Sequence, residues 1–163
     1  MQMRRARGLT LVELMTVIAV AAILAAVAIP SFTKIIATQR LKSAASNLQI
    51  ALLTARSEAI KRNTNVCMST AANNCTSTSS WNGGWYVTNG TTALGTYPAY
   101  SSLSITGPTT GVTYQGSGRI STSTNPIVSN TTNYFKVAST SISDVRCVYI
   151  SPMGAPSVTS SCP

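Results

Sequence analysis

Four cysteines, three carboxylates and no histidine make up the side chains in this 163-residue sequence that most often do chemistry. Cys67, Cys75, Cys147 and Cys162 all lie beyond the first apolar segment. An even number of cysteines in an exported domain reads as two disulfides, for which three connectivities are open. Local pairs, Cys67–Cys75 and Cys147–Cys162, are favoured because each closes a short loop beside a predicted strand. A zinc site would call for C-x-x-C spacings or histidine ligands, and the sequence has neither. The acids are Glu13, Glu58 and Asp144. Glu13 stands in an apolar run, Glu58 falls on a predicted helix, and a lone Asp144 builds neither an acid–base pair nor a divalent-metal cage. Serine and threonine abound, but none sits in a nucleophile-elbow pattern. The expectation is no catalytic residue, no metal, no cofactor and no enzymatic activity.

Glu13 is the acid whose surroundings ask for an explanation. The run from Leu9 to Ile29 is apolar apart from Thr10, Glu13 and Thr16. At about 1.5 Å per residue it spans roughly 32 Å as a helix, the thickness of a bilayer core. Arg4, Arg5 and Arg7 precede it, and such a basic cluster stays cytoplasmic, so the rest of the chain is expected to face outward. A secretory signal peptide also has a basic start and an apolar middle, and Ala26-Val27-Ala28 offers a small-residue cleavage site. Against it, a carboxylate lies inside the run, and an amphipathic pattern follows without a break. A carboxylate at bilayer depth costs about 2–3 kcal/mol, less toward the end of the span. A residue kept at that cost is kept for a partner.

The remaining composition describes an exported head with uncharged polar loops. Only 9% of residues are charged, while 44% are apolar, enough for a packed core. The length suits one extracellular domain plus an anchor. Net charge is +9; without the three leader arginines, nine basic residues face three acidic ones, giving +6. A basic surface admits contact with nucleic acid or acidic lipid without requiring it.

From Phe32 to about Arg62, Leu41, Ala44, Ala45, Leu48, Leu52, Ala55 and Ala59 recur at helical spacing, and Arg40, Lys42, Ser43, Ser46, Gln49, Arg56 and Lys61 fall mostly elsewhere. Glu58 and Arg62 make an i,i+4 pair. After Asn63 short strands are predicted at 66–68, 85–87, 103–105, 112–114, 134–137 and 147–150. Gly83-Gly84, Asn89-Gly90, Gly107-Pro108 and Gly116-Ser117-Gly118 mark turns between them, and turns at this density predict antiparallel sheet. The stretch from Asn89 to Pro108 is loosely patterned. Trp81 and Trp85, beside a Gly-Gly turn, are read as packing residues. Gly116-Ser117-Gly118 has no following helix or Lys-Ser/Thr signature and is read as a turn, not a phosphate loop. The fold class is α+β: a long N-terminal α-helix spine, with a transmembrane half and an amphipathic half, packed on an antiparallel β-sheet head.

Arg7-Gly8-Leu9-Thr10-Leu11-Val12-Glu13-Leu14 resembles the class III signal of type IV prepilins. The resemblance implies cleavage after Gly8 by a prepilin peptidase, N-methylation of Leu9, and a role in subunit assembly for Glu13 and Pro30. Leu9 stands where phenylalanine is commoner. An α-amino group has a pKa of about 8 and is positively charged at neutral pH, so in a filament core Glu13 of one subunit would neutralise its neighbour's terminus. The head is similar to that of the FimT/FimU minor pilins and the related GspH pseudopilins. Its carriers are Ala55–Asn63 leading into Val66-Cys67, Trp81-Asn82-Gly83-Gly84-Trp85, Tyr114–Arg119, Arg146–Ser151 and Cys162. The implied division is a leader over 1–8, a polymerisation helix over 9–30, an amphipathic helix over 31–63 and a β-rich, pilin-like head over 64–163. Implied partners are major and minor pilins, the peptidase and, before assembly, the inner membrane; the implied destination is a periplasmic or cell-surface filament. The implied function is a minor pilin near the filament tip, serving assembly, motility, adhesion or DNA uptake. A minor pseudopilin of type II secretion is the alternative. Some FimT-type relatives bind DNA through a Gly-Arg-x-Arg stretch between the last two cysteines. Here that stretch is Gly154-Ala155-Pro156-Ser157, leaving Arg119, Lys136 and Arg146 as scattered candidates for phosphate contact.

Overall fold

The computed structural model describes residues 10–75, 80–108, 110–121, 134–151 and 153–162. Gly8 and Leu9 lie outside these residues, and Pro30 is described only as a position within a helix. That helix, α1, runs from Leu11 to Arg62. Eight described strands follow: β1 (Val66–Ser69), β2 (Trp85–Thr88), β3 (Ala93–Tyr97), β4 (Leu103–Thr106), β5 (Val112–Tyr114), β6 (Tyr134–Ser139), β7 (Val145–Ile150) and β8 (Pro156–Thr159). A 3₁₀ turn, Trp81–Gly83, precedes β2. The chain divides into two units, Met1–Ile36 and Ala37–Pro163.

In the second unit the strands form two antiparallel sheets, ordered β3-β2-β1-β5 and β4-β6-β7-β8. The apolar stripe read from the sequence is the face that α1 buries: Leu41, Ala44, Ala45, Leu48, Leu52, Ala55 and Ala59, joined by Ala51, are all shielded from solvent. Alanine at five of these positions brings backbone and sheet close together, and each buried leucine contributes roughly 2 kcal/mol. Facing them are Val66, Met68, Trp85, Val87, Val112 and Tyr114 from the first sheet and Phe135, Val137, Val148 and Ile150 from the second.

Within the second unit, polar contacts also tie the helix to the strands and loops. Asn47 donates to the Tyr100 hydroxyl at 2.6 Å, and Gln49 donates to the Pro156 carbonyl at 3.4 Å. The helix stops on Asn63, whose φ of 49° is left-handed. Its N–H bonds the Ile60 carbonyl and that of Thr64 bonds Ala59, the paired closure that satisfies the last carbonyls of a helix. Gly116 lies against this stop: a Cβ there would sit 2.8–2.9 Å from the Asn63 backbone. The glycines of 116–118 therefore serve close approach within a turn.

Both tryptophans are core residues. Trp81 packs edge-on against Phe135 at 4.8 Å between ring centres and donates its indole N–H to the Pro108 carbonyl at 3.1 Å. Trp85 stacks with Tyr97 and Tyr100 at 5.9 and 5.8 Å. The cysteines pair locally, Cys67 with Cys75 and Cys147 with Cys162, at Cα separations of 5.6 and 5.5 Å.

Candidate functional site

The first described turn of α1 is built by Thr10. Its carbonyl accepts the Leu14 N–H and its hydroxyl accepts the Glu13 N–H, both at 3.2 Å. Thr10-Leu11-Val12-Glu13 thus follows the Thr-x-x-Glu pattern of a capped helix start. Reading Glu13 for its charge alone missed this local role, which the three-residue spacing before an apolar run could have signalled. A carboxylate in the first turn also opposes the positive end of the helix dipole. Thr16 returns a hydroxyl bond to the Glu13 carbonyl at 2.9 Å.

Behind Glu13 the helix is apolar on every side. Leu11, Val12, Leu14, Met15, Val17, Ile18, Val20, Ile23, Leu24 and Ile29 are each more than half exposed. A helix hydrophobic all round is a helix made to be covered. Taken as two pieces, Leu11–Ala26 and Ser31–Arg62, α1 offers no single helix long and apolar enough to cross a membrane, though the pair passes together on length and composition.

The three basic candidates of the head do not converge. Lys136 on β6 faces Cys147 and the next residue, Val137, faces Arg146 on β7. Consecutive cross-strand pairs point to opposite faces of a sheet, so Lys136 and Arg146 project in opposite directions. Lys136 is exposed, whereas Arg146 is partly covered and reaches the neighbouring Val145 carbonyl at 3.4 Å. Arg119 follows the 115–118 turn, which packs against the end of α1. Glu58 is held by Arg62 at 2.9 Å and Lys61 at 3.1 Å, which keep its carboxyl below the usual carboxylate range.

A family described as "Type II transport protein GspH" matches residues 44–154, about two thirds of the sequence. The chain belongs to the GspH family. A second family, the prokaryotic N-terminal methylation motif, matches residues 3–29 of this GspH-family chain and so spans both Gly8-Leu9 and Glu13. Among solved structures, the Pseudomonas aeruginosa type IV minor pilin FimU is 20% identical, with a TM-score of 0.54, covering 73% of this chain and 92% of that one. A second crystal form of FimU is 17% identical, with a TM-score of 0.49, covering 77% and 90%. At such identities the likeness of the first establishes the pilin fold, an N-terminal helix on antiparallel sheet. No curated protein matches the chain. The chain thus joins a GspH-family head and a prokaryotic N-terminal methylation motif on a pilin fold.

Proposed function

We propose that this chain is a minor pilin that enters a type IV pilus through α1, near the tip, and helps to start assembly. The observation that carries the reading is a helix with apolar side chains uncovered on every side, begun by the lone carboxylate Glu13. Before assembly the inner membrane covers that surface, with Arg4, Arg5 and Arg7 held on the cytoplasmic side. Prepilin peptidase removes residues 1–8 after Gly8, and Leu9 becomes the methylated terminus. Inside the filament, Glu13 neutralises the amino terminus of an adjacent subunit and sets the axial register. Pro30, which lacks an N–H, leaves the Ala26 carbonyl without its helical donor and gives the helix a place to yield during packing.

Mass spectrometry of purified, sheared filaments tests this directly. The expected result is a mature chain beginning at Leu9, present well below the stoichiometry of the main subunit. A mature chain that begins after residue 28, or that is absent from filaments, overturns the reading.

A second reading, a minor pseudopilin of type II secretion, is favoured by the family description that matches residues 44–154. It predicts that deleting the gene blocks export of folded proteins while leaving surface pili unchanged.

A further inference from the structure

The β2–β3 hairpin turns through Thr88-Asn89-Gly90-Thr91-Thr92. An asparagine followed by glycine is open to attack by its own backbone, because glycine presents the next amide nitrogen with no Cβ in the way. Asn89 is exposed, and Gly90 has a left-handed φ of 92°. Two sets of hydrogen bonds hold the atoms that would react. The Gly90 N–H is donated to the Thr88 hydroxyl at 3.1 Å, and that hydroxyl is fixed in turn by donating to the Thr92 carbonyl at 3.0 Å. The Asn89 Oδ1 accepts the Thr91 N–H at 3.1 Å, the Thr91 hydroxyl at 3.0 Å and the Thr92 N–H at 2.8 Å. Thr88 is fully buried, so water does not compete for its hydroxyl. The strand that keeps the loop in this shape is the weaker partner. β3 lies at the edge of the first sheet, contains Gly95 and has no buried position. Strands with so few buried contacts open first.

We propose that Asn89-Gly90 is a latent self-modification site, held closed by Thr88 and by the donors on Asn89 while β3 is paired, and reactive when β3 opens. In the open loop the Gly90 nitrogen gives its proton to solvent and forms a bond to the Asn89 Cγ. The Cγ–Nδ2 bond breaks, and the departing nitrogen takes up a proton and leaves as ammonia. Water then opens the cyclic imide at either of its carbonyls, leaving aspartate or isoaspartate at 89. The sum is one water consumed and one ammonia released, with no change in oxidation state. The product alters the head because residues 63–118 contain no Asp, Glu, Lys or Arg. Conversion puts the first charge of that stretch on the hairpin, and isoaspartate lengthens the backbone by a methylene, out of step with the Thr91 and Thr92 donors. An opening of β3 thus leaves a permanent chemical mark.

Incubating the full-length chain in detergent with heavy-oxygen water, then mapping the peptide that spans position 89 by mass spectrometry, tests this, since only conversion during the incubation takes up the label. The expected result is slow labelling of the folded chain and labelling at least about tenfold faster once the chain is unfolded in denaturant. Thr88→Val removes the acceptor of the Gly90 N–H and is expected to raise the folded-state rate about tenfold, while Thr88→Ser, which keeps the hydroxyl, stays near the unaltered rate. Thr91→Ala, at an exposed position, removes one of the three donors on Oδ1 and is expected to raise the rate by a smaller factor. Should Thr88→Val fail to fold, Thr91→Ala and the comparison of the folded with the unfolded chain decide the matter. Equal rates in the folded and unfolded chain, or no acceleration by either substitution, overturn the proposal. A Thr88→Ser chain as fast as Thr88→Val would show that packing and not the hydroxyl keeps the site closed, which overturns it as well.

Discussion

The hydroxyl of Tyr114, in the first sheet, donates at 3.0 Å to the carbonyl of Gly154, in the loop between the last two strands of the second. Both residues are buried, so the bond fastens the two sheets to each other near the end of the spine. Gly154 has a φ of +80°, and a Cβ there would stand 2.9 Å from the Tyr114 ring and 3.0 Å from the Gly118 carbonyl oxygen. Glycine at 154 is thus required for steric reasons.

Gly154→Ala is accordingly expected to destabilise the head by about 2–3 kcal/mol, combining left-handed backbone strain with the clash. Denaturant unfolding measures this through the midpoint at unchanged slope. Ala155→Gly, one residue on and exposed, is the comparison and should move stability by less than about 1 kcal/mol. Equal losses for the two would show that the contact at Gly154 is not what the glycine serves.

Burial raises the Tyr114 phenol above its ordinary range by penalising the charged form, with Arg56 opposing the shift. A folded-state pKa above the unfolded value of about 10 means that stability is fully present below pH 10 and is lost as pH rises beyond it. Tyr114→Phe should therefore be less stable at neutral pH by about 1 kcal/mol, because the Gly154 carbonyl loses its donor. It should also show a flatter decline between about pH 10 and pH 11, where the wild-type chain must keep a phenol neutral. Parallel wild-type and variant curves in that window would exclude Tyr114 as the source of the alkaline limb.

The sequence made the buried face of α1, six strands, both tryptophans and the local disulfides legible, because each follows from a period, a turn or a short loop. The two strands not read from it, β3 and β8, are both at sheet edges. β3 contains Gly95 and shows no buried position, and β8 begins with Pro156 and is exposed thereafter. The other two edge strands, β4 and β5, bury alternate or all positions and are legible, whereas β3 and β8 lack that alternation and hydrophobic pattern does not find them. The division of the strands into two sheets follows from pairing order, which spacing does not encode. At the candidate site, Glu13 stood out because a charge in an apolar run is costly. Its capping bond with Thr10 was overlooked because that signal is local and weak.

The two tryptophans should respond differently to loss of their indole N–H. Trp81 uses its N–H on the Pro108 carbonyl, whereas that of Trp85 is buried without a partner among the described residues. Trp81→Phe loses a hydrogen bond as well as volume, so a cost of about 2–3 kcal/mol is expected. Trp85→Phe removes an unsatisfied donor, which offsets part of the packing loss, and about 1–2 kcal/mol is expected. Thermal unfolding of both variants measures the order, and a larger loss at Trp85 would contradict it.

Under the proposed assembly Glu13 serves both the helix start and a neighbour's amino terminus, and glutamine separates the two. At the third position of a helix, Gln substitutes for Glu in the reciprocal capping pattern, so Glu13→Gln leaves the helix start largely intact. It removes the negative charge, however, and the neighbouring amino terminus, still positive at neutral pH, would be buried without a counter-ion. Alanine removes the charge and the side chain that could reach back to the Thr10 N–H, while keeping the backbone bond to the Thr10 hydroxyl. Both variants are expected to be processed after Gly8 and to remain in the membrane fraction, and both are expected to fall at least about tenfold in sheared filaments, since an unpaired buried charge costs well over 1.4 kcal/mol. Quantitative mass spectrometry of the two fractions provides the comparison. Normal incorporation of Glu13→Gln alongside failure of Glu13→Ala would mean that Glu13 acts as a helix cap and that charge neutralisation between subunits plays no part. Normal incorporation of both would remove Glu13 from assembly altogether.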